Sequence, residues 1–335
     1  MENNASRILI EVTVRQTLKG LKADTRRGVR NLVDMALQFS EGRFQSRFFE
    51  TARTLLENPD SGYYRLVDDA ANHIDTEHLV NFGMDLGYNS CTWGARRIRA
   101  NEAKLGFNIP WTVFLRLGEE LTARLEQYDA AIAEGEELGI YCWMLHRPEA
   151  PLDALPLVER HPDSAFFLYC ASGAVTPELA EEARRLRNLM LVVRLDEGAA
   201  AACGRLREAL VPYSVYFSYS AKDCAAIEGG EVFRAAQQLH PVFTALAPRP
   251  DCAPETVRSA YRAAVDARKS QSYQTVPWEL CCDTRSLDEI ISDDACLVCF
   301  DEEGSLFSPE GGGGGNLFQD GFTPVIRRAY PKAAR

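Results

Sequence analysis

The sequence predicts an α/β protein built around a parallel sheet. Between residues 109 and 268, six short apolar runs typical of strands alternate with stretches of helical spacing. The runs are continuously apolar, as in parallel strands that are covered on both faces. Repeated strand–helix–strand units imply right-handed crossovers. Six such units fit either a partial barrel or an open doubly wound sheet, and the pattern alone leaves both open.

Each predicted element depends on a local signal. The six strands are expected at 111–115, 140–145, 165–170, 189–193, 215–219 and 242–246. Helices are expected at 119–137, 177–186, 204–210 and 254–268. Gly139 follows the first of these helices and is a typical helix stop, because glycine adopts the left-handed conformation without strain.

The regions before and after the six units differ from them. Residues 1–108 show helical spacing of apolar residues, with one candidate strand at 8–12. After the six units the alternation stops. A small hairpin is expected at 296–307, followed by a low-complexity loop at 311–315 and a closing helix at 316–329.

Bulk composition narrows the function classes. The chain has 335 residues, 46% of them hydrophobic, which suffices for a large folded core. A net charge of −11 argues against binding to nucleic acid or to an anionic membrane. No apolar stretch approaches the roughly 20 residues of a membrane span, and no signal peptide is visible. A cytoplasmic protein is therefore expected, in which the 10 cysteines are thiols or metal ligands and not disulfides.

Several stretches resemble, in order and spacing, one known enzyme family. They are 108–115, 134–141, 161–167, 171–174, 216–219, 250–255, 304 and 315–322. The family is that of radical S-adenosylmethionine enzymes with an N-terminal helical region and a C-terminal SPASM-like segment. The resemblance implies a partial (β/α)6 TIM-like barrel over 109–268. It also implies an N-terminal helical region over 1–108 and a small SPASM-like hairpin segment over 269–335.

Three elements that bind the family's cofactors are altered in this chain. In the family, a Cys-x3-Cys-x2-Cys loop after the first barrel strand holds a 4Fe-4S cluster, whereas here residues 115–121 lead into a helix without a cysteine. The family's Gly-Gly-Glu-Pro turn after the second strand corresponds to 146–149. The family's arginine-rich ribose contact is absent from 195–202. The candidate cofactor-binding residues that remain are Glu149 in the second element, and Ser172 and Gly173 in the family's Thr-Asn-Gly-Thr turn.

Because all three elements are altered together, the sequence predicts a radical-S-adenosylmethionine-like protein that has lost the radical chemistry. Such a pseudoenzyme is expected to act as a binding or partner subunit and to need no cofactor. Its partner would be an active radical S-adenosylmethionine relative, or a peptide or small ligand held at the barrel mouth.

Two alternatives remain open. In the first, the chain is an active radical S-adenosylmethionine-type iron–sulfur enzyme, whose 4Fe-4S cluster is held by non-standard cysteines. The same cysteines could instead hold zinc. The candidate ligands are Cys281, Cys282, Cys296 and Cys299, which could equally be buried structural thiols. In the second, the chain is a barrel enzyme in which His146 and Glu149, at the C-terminal end of a strand, act as acid and base. A salt-bridged loop through Arg147 would leave those two residues without a catalytic role.

Overall fold

A helical region precedes the sheet, as the sequence predicts. The computed structural model describes residues 4–21, 24–38, 43–292, 294, 296–307 and 314–332. The first helices are α1 (Asn4–Leu21), α2 (Thr25–Gln38), α3 (Arg43–Leu55), α4 (Gly62–His73), α5 (Thr76–Met84) and α6 (Ala95–Leu105). The ten residues Asp85–Gly94, between α5 and α6, form a π-helix. None of the described helices is long and apolar enough to cross a membrane.

The candidate strand at 8–12 is wrong, since these residues lie within α1. Ile10, Val14 and Leu18 recur at helical spacing and pack against buried side chains of α5 and the π-helix. Burial of one side of α1 therefore favours the helical conformation. It overrides the strand preference of the β-branched residues at 8–12.

Strands and helices alternate from residue 112 onward. They are β1 (Thr112–Arg116), α7 (Leu125–Leu138), β2 (Cys142–His146), α8 (Leu155–Arg160), β3 (Ala165–Cys170), α9 (Pro177–Arg185), β4 (Leu189–Arg194), α10 (Ala199–Glu208), β5 (Tyr213–Tyr219), α11 (Cys224–Glu228), α12 (Glu231–Gln237), β6 (Phe243–Pro248) and α13 (Pro254–Ser270). These elements follow the predicted order, with boundaries displaced by a few residues. Gly139 ends α7 with a φ of 111°, the left-handed conformation expected there.

The sheet continues beyond the six predicted units. The further elements are β7 (Val276–Glu279), α14 (Leu280–Ser292), β8 (Val298–Phe300), β9 (Leu306–Phe307), α15 (Leu317–Asp320) and α16 (Phe322–Ala329). The predicted end of the alternation is wrong, because β7 and α14 form one more strand–helix unit. The β8–β9 hairpin is confirmed. The single closing helix expected at 316–329 is instead two helices, divided at Gly321. Of the predicted loop at 311–315, residues 311–313 lie outside the described residues.

Within the described residues, nine strands form one sheet in the order β7-β6-β5-β4-β3-β2-β1-β8-β9. Every neighbouring pair is parallel except β8 and β9, which are antiparallel. The strands β1 to β7 lie in sequential order without the reversal of a doubly wound sheet, so the sheet curls into a half-barrel. The predicted (β/α)6 count is not confirmed, because β7 and β8 extend the sheet at its two edges.

Side chains alternate between the two faces of the half-barrel. Val113 and Leu115 of β1, and Trp143 and Leu145 of β2, are fully buried against the outer helices and form the main core. The residues between them point to the concave inner face. Those of the first three strands are Phe114, Arg116, Met144, His146, Phe167 and Tyr169.

Helix α14 connects the two edges of the half-barrel, since it follows β7 and precedes β8. Its buried Asp288 accepts hydrogen bonds from the backbone N–H of Trp111 at 2.6 Å and of Cys296 at 2.5 Å, just before β1 and β8. At its other end, Asp283 forms an ion pair with Arg268 of α13 at 2.7 Å. The helix is therefore fastened to both sides of the opening.

Candidate functional site

The concave inner face of the half-barrel is filled by the chain's own side chains. Its central cluster is Met144, Tyr169, Val192, Tyr216 and Ala245, each at most 6% exposed. Leu280 of α14 packs against this cluster, in which the ring centroids of Tyr169 and Tyr216 lie 5.4 Å apart. At the opposite end of the same face, Phe82 of α5 packs edge-on against Phe167 with centroids 5.4 Å apart. The floor of the half-barrel is therefore a packed core.

Charged side chains stand above this floor, where the strands end. Arg116 is the last residue of β1 and pairs in register with His146, the last residue of β2. Arg194 is the last residue of β4 and pairs with Tyr216 of β5. The side chains of Arg116 and Arg194 are 42% and 43% exposed, so they are open to solvent. We call Arg116, His146 and Arg194 the rim.

The imidazole of His146 is neutral at physiological pH. Burial, and then the positive charges of Arg116 and Arg194, lower the pKa of His146 from 6.5 to about 4. The ring lies beside Phe114, with centroids 6.2 Å apart and an angle of 35° between the planes. His146 can therefore donate or accept a hydrogen bond, but it carries no charge of its own.

Asp196 positions one side of the rim. Its carboxylate accepts hydrogen bonds from Ser172 Oγ at 2.5 Å, from the Gly198 N–H at 3.0 Å and from Arg194 Nε at 2.9 Å. Burial favours a higher pKa for Asp196, but these hydrogen bonds outweigh it, and the pKa lies below its ordinary value. The hydroxyl of Ser172, a predicted cofactor contact, is thus engaged in orienting Asp196 and through it Arg194.

The other two predicted cofactor contacts, Glu149 and Gly173, have different surroundings. Glu149 is exposed after β2 and lies close enough to Arg194 and Tyr216 to affect their charge states. Across the described part of the chain, no hydrogen bond or ion pair joins Glu149 to His146. A Cβ placed on Gly173 would meet nothing within 4 Å, so no close approach requires glycine there.

The turn after β2 is tied to its neighbours by Arg147. Its Nη2 lies 3.0 Å from the Asp153 carboxylate and its Nη1 donates to the Leu117 carbonyl at 3.4 Å. Its backbone N–H donates to the Tyr169 carbonyl at 3.1 Å. These contacts are those expected of a salt-bridged loop. In that alternative, His146 and Glu149 have no catalytic role.

The segment after β1 does not fit a 4Fe-4S cluster. Leu117 and Leu121 are 3% and 1% exposed, so the segment packs into the core. A Cβ on Gly118 would lie 3.2 Å from both the Cβ and the carbonyl oxygen of Glu302, in the β8–β9 turn. The Arg116–Glu302 ion pair joins the same two segments at 3.5 Å. The position offers neither the thiolates nor the space that a cluster needs.

The four C-terminal cysteines lie in two separate segments of the chain. Cys281 and Cys282 lie in the first turn of α14, Cys296 is buried before β8, and Cys299 is paired with Phe114 of β1. Burial raises the pKa of Cys282 and Cys299 to about 12 and also raises that of Cys281. Cys281 and Cys299 lie near each other. Nevertheless, among the described residues no three His, Cys, Asp or Glu side chains are grouped to hold a metal ion.

Sequence reasoning missed Arg116 and Arg194, although each ends an apolar strand. A cation at the C-terminal end of two parallel strands is the signal that could have found them, since ligand sites collect at that end of a barrel. Their common effect on the pKa of the buried His146 could not be foreseen, because it depends on which face of the curled sheet each side chain occupies.

No family model and no curated protein matches the chain. Two crystal structures of SuiB from Streptococcus suis are similar to it. The first, with S-adenosylmethionine bound, has a TM-score of 0.50 and 8% sequence identity, and the match covers 71% of this chain and 68% of SuiB. The second has a TM-score of 0.52 and 8% identity, and covers 71% of this chain and 70% of SuiB. At 8% identity, the likeness shows that this chain shares the fold of SuiB.

Proposed function

We propose that the chain is a radical-S-adenosylmethionine-like protein that acts by binding, as a ligand-binding or partner subunit, and that it carries out no radical chemistry. The filled inner face is the observation that carries this proposal. Tyr169 and Tyr216 are 4% and 5% exposed, and Leu280 packs on the cluster that they form. A half-barrel whose floor is occupied by its own side chains has no room to bury a cofactor there.

The strand ends support the same proposal. The segment after β1 has no thiol and packs against Glu302, while the turn after β2 is held by Arg147. Both segments differ from the family pattern at the C-terminal ends of strands, where barrel enzymes place their reactive groups. The strands themselves are packed into a continuous core. A protein that keeps its fold as a scaffold but loses its chemistry would have both altered strand ends and a well-packed core.

A protein partner is supported by helix α1. Ile8, Leu9 and Val12 share one side of this helix and are 57%, 54% and 46% exposed. Contiguous apolar side chains in water mark surfaces that bind other proteins. The resemblance implies an active radical S-adenosylmethionine relative as that partner, and a peptide or small ligand at the barrel mouth as the other binding mode.

The proposal predicts that the purified chain stays free of a cluster. After anaerobic reconstitution with ferrous iron and sulfide, we expect no absorbance band at about 400 nm. In calorimetry, we expect S-adenosylmethionine to bind more weakly than roughly 100 μM, which corresponds to about −5.5 kcal/mol. An active radical S-adenosylmethionine enzyme treated in parallel serves as the positive control.

Two results would contradict the proposal. One is S-adenosylmethionine binding tighter than the stated limit. The other is a brown protein whose colour is lost in Cys282→Ala or Cys299→Ala but kept in Cys224→Ala, since Cys224 lies on a different helix. That pattern would establish the iron–sulfur alternative instead.

A further inference from the structure

A cleft opens in the outer helical layer, between helix α13 and the junction of α11 with α12. Its volume is about 530 Å³, within the range of about 300–1,000 Å³ that is typical of small-molecule sites. Its lining residues Ile227 and Phe233 pack with Leu246 of β6, whereas the next residue back, Ala245, belongs to the inner-face cluster. The cleft therefore lies on the opposite side of the sheet from the rim.

Both walls of the cleft leave room because their side chains are small or missing. On α13, the lining residues that recur at helical spacing are small, namely Ser259, Ala263, Ala267 and Ser270. Opposite them, Gly230 joins α11 to α12 with a φ of 73°, a left-handed conformation that glycine adopts without strain. A Cβ on Gly230 would overlap Oη of Tyr273. The space between the helices is therefore left open by the sequence on both sides.

One end of the cleft is aromatic. The rings of Phe233 and Tyr273 lie there with centroids 5.5 Å apart and an angle of 51° between their planes. Phe233 is buried and Tyr273 is half-buried, so the tyrosine ring is the surface that a ligand would meet. A flat apolar group that enters the cleft would pack against this ring.

Opposite charges stand next to each other in the middle of the cleft. Arg262 and Asp266 both line it and are exposed. They are one turn apart on α13, so their Cβ atoms are separated by about 6 Å. Within the described part of the chain, neither side chain forms a hydrogen bond or an ion pair. A cation and an anion are thus available side by side to a ligand.

The end of the cleft away from the aromatic rings is negative. Glu228 of α11 lines it, and its Oε1 accepts a hydrogen bond from Ser259 Oγ at 2.5 Å. Ser259 lies about one turn before Arg262 on α13, so Arg262 stands between two carboxylates, those of Glu228 and Asp266. A ligand with one carboxylate can pair with Arg262, but a second carboxylate would be repelled from either side.

We propose that this cleft binds a free α-amino acid with an aromatic side chain. The carboxylate of the ligand pairs with Arg262 through charge-assisted hydrogen bonds, its ammonium group pairs with Asp266, and its ring packs on Tyr273. This arrangement uses both charges of the zwitterion together with the apolar end of the cleft. The inference goes beyond the proposed function, because it concerns the outer side of the sheet and needs nothing from the barrel mouth.

L-Phenylalanine is the probe. Phenethylamine has the same ring without the carboxylate, and 3-phenylpropionate has the same ring without the ammonium group. By calorimetry on the full chain, we expect L-phenylalanine to bind with a Kd below about 1 mM, and each analogue to bind at least about tenfold more weakly. In NMR, the ring protons of bound L-phenylalanine should show nuclear Overhauser contacts to the ring of Tyr273.

Two variants remove the charges that the proposal uses. Arg262→Gln and Asp266→Asn lie at exposed positions, so the fold should be kept, and each should weaken L-phenylalanine binding at least about tenfold. The matched control is Arg258→Gln on the same helix. Its guanidinium is 63% exposed and pairs with Glu255 at 3.6 Å, outside the cleft lining. This variant should bind L-phenylalanine within about twofold of the parent affinity.

The site is disproved if L-phenylalanine binds more weakly than the stated Kd or if either analogue binds as well. It is equally disproved if Arg258→Gln loses as much affinity as the two cleft variants, or if the Overhauser contacts place the ligand elsewhere. A chain that stays colourless after iron and sulfide yet ignores L-phenylalanine overturns this site alone. A brown chain overturns the proposed function and leaves the cleft unaffected.

Discussion

Buried titratable side chains couple the stability of this protein to pH. His78 of α5 is completely buried, and its Nε2 donates to the Leu189 carbonyl at 2.7 Å, just where β4 begins. Its Nδ1 is buried without a partner in the described structure. Burial lowers the pKa of His78 from 6.5 to about 4, against the opposing effect of the Leu189 hydrogen bond. The imidazole is therefore locked in its neutral form.

We predict that His78 makes the fold less stable as the pH falls. Between pH 6.5 and about 4, the unfolded chain binds a proton that the folded chain does not, so the free energy of unfolding decreases. The full effect of His78 is about 3 kcal/mol, and it is absent above pH 6.5. His78→Gln keeps a donor but removes this titration, so its urea-unfolding free energy should change less between pH 7 and pH 4.5 than that of the parent.

The control for His78 is a pair of measurements above pH 6.5, where the effect of His78 is absent. Between pH 7 and pH 8, the unfolding free energies of His78→Gln and of the parent should differ by a constant amount. If His78→Gln and the parent lose equal stability on acidification, the buried neutral state of His78 is refuted.

At the scale of elements, one glycine sets how closely α7 lies on the sheet. A Cβ on Gly135 would come within 2.5 Å of Cζ2 and 2.7 Å of Cη2 of Trp143, a fully buried residue of β2. Because a tryptophan ring in a packed core cannot move aside cheaply, helix and strand must separate to accept even one methyl group. This explains why the helix tolerates a residue of low helix propensity in its interior.

We predict that Gly135→Ala destabilises the protein by about 2 kcal/mol through overpacking. The matched substitution is Gly204→Ala in α10, where an added Cβ meets nothing within 4 Å. There the gain in helix propensity should dominate, and stability should rise by up to about 1 kcal/mol. Chemical denaturation of the two variants tests both signs. Equal changes in the free energy of unfolding for the two variants would show that the contact with Trp143 does not determine the effect of Gly135→Ala.

The seventh strand shows why one element escaped prediction. Residues 276–279 form β7, which contains Pro277 and Glu279 and lacks the continuous apolar run of the other strands. Proline is tolerated because β7 is an edge strand, whose one neighbour in the described part of the sheet is β6. Glu279 is tolerated because Tyr219 Oη donates to its Oε1 at 3.0 Å and the Cys282 N–H donates to its Oε2 at 2.6 Å. Both reasons lie in tertiary contacts.

At the scale of the whole molecule, α14 holds the half-barrel in its curled form. Asp288 is the shared acceptor for backbone N–H groups before β1 and before β8, and it has no exposed surface. Loss of this carboxylate would leave two buried N–H groups without an acceptor. The link therefore joins the C-terminal segment to the first strand of the barrel.

We predict that Asp288→Ala lowers the free energy of unfolding by about 3 kcal/mol. Glu289→Ala, at the neighbouring exposed position of the same helix, should change it by no more than about 0.5 kcal/mol. Urea denaturation followed by circular dichroism measures both. Comparable small effects for the two variants would mean that α14 does not fasten the edges of the sheet.

The sequence by itself determined the α/β class, the order of the first six strands, and the absence of cysteine after β1. These properties are local: apolar runs, helical spacing and residue identity persist in any arrangement of the chain. The resemblance to radical S-adenosylmethionine enzymes was drawn from such local stretches, whereas the comparison with SuiB shows a shared fold. The roles of His146, Glu149 and the C-terminal cysteines stay predictions.

Only the tertiary structure decided what lies inside the half-barrel. Leu280 fills the inner face because α14 crosses from one sheet edge to the other, and no local pattern specifies that path. Arg116 and Arg194 end β1 and β4, which are far apart in the chain, and both lower the pKa of the buried His146 only because the intervening strands curl. Long-range register and curvature are collective properties of the packed sheet, so the rim could be recognised only once the strands were in place.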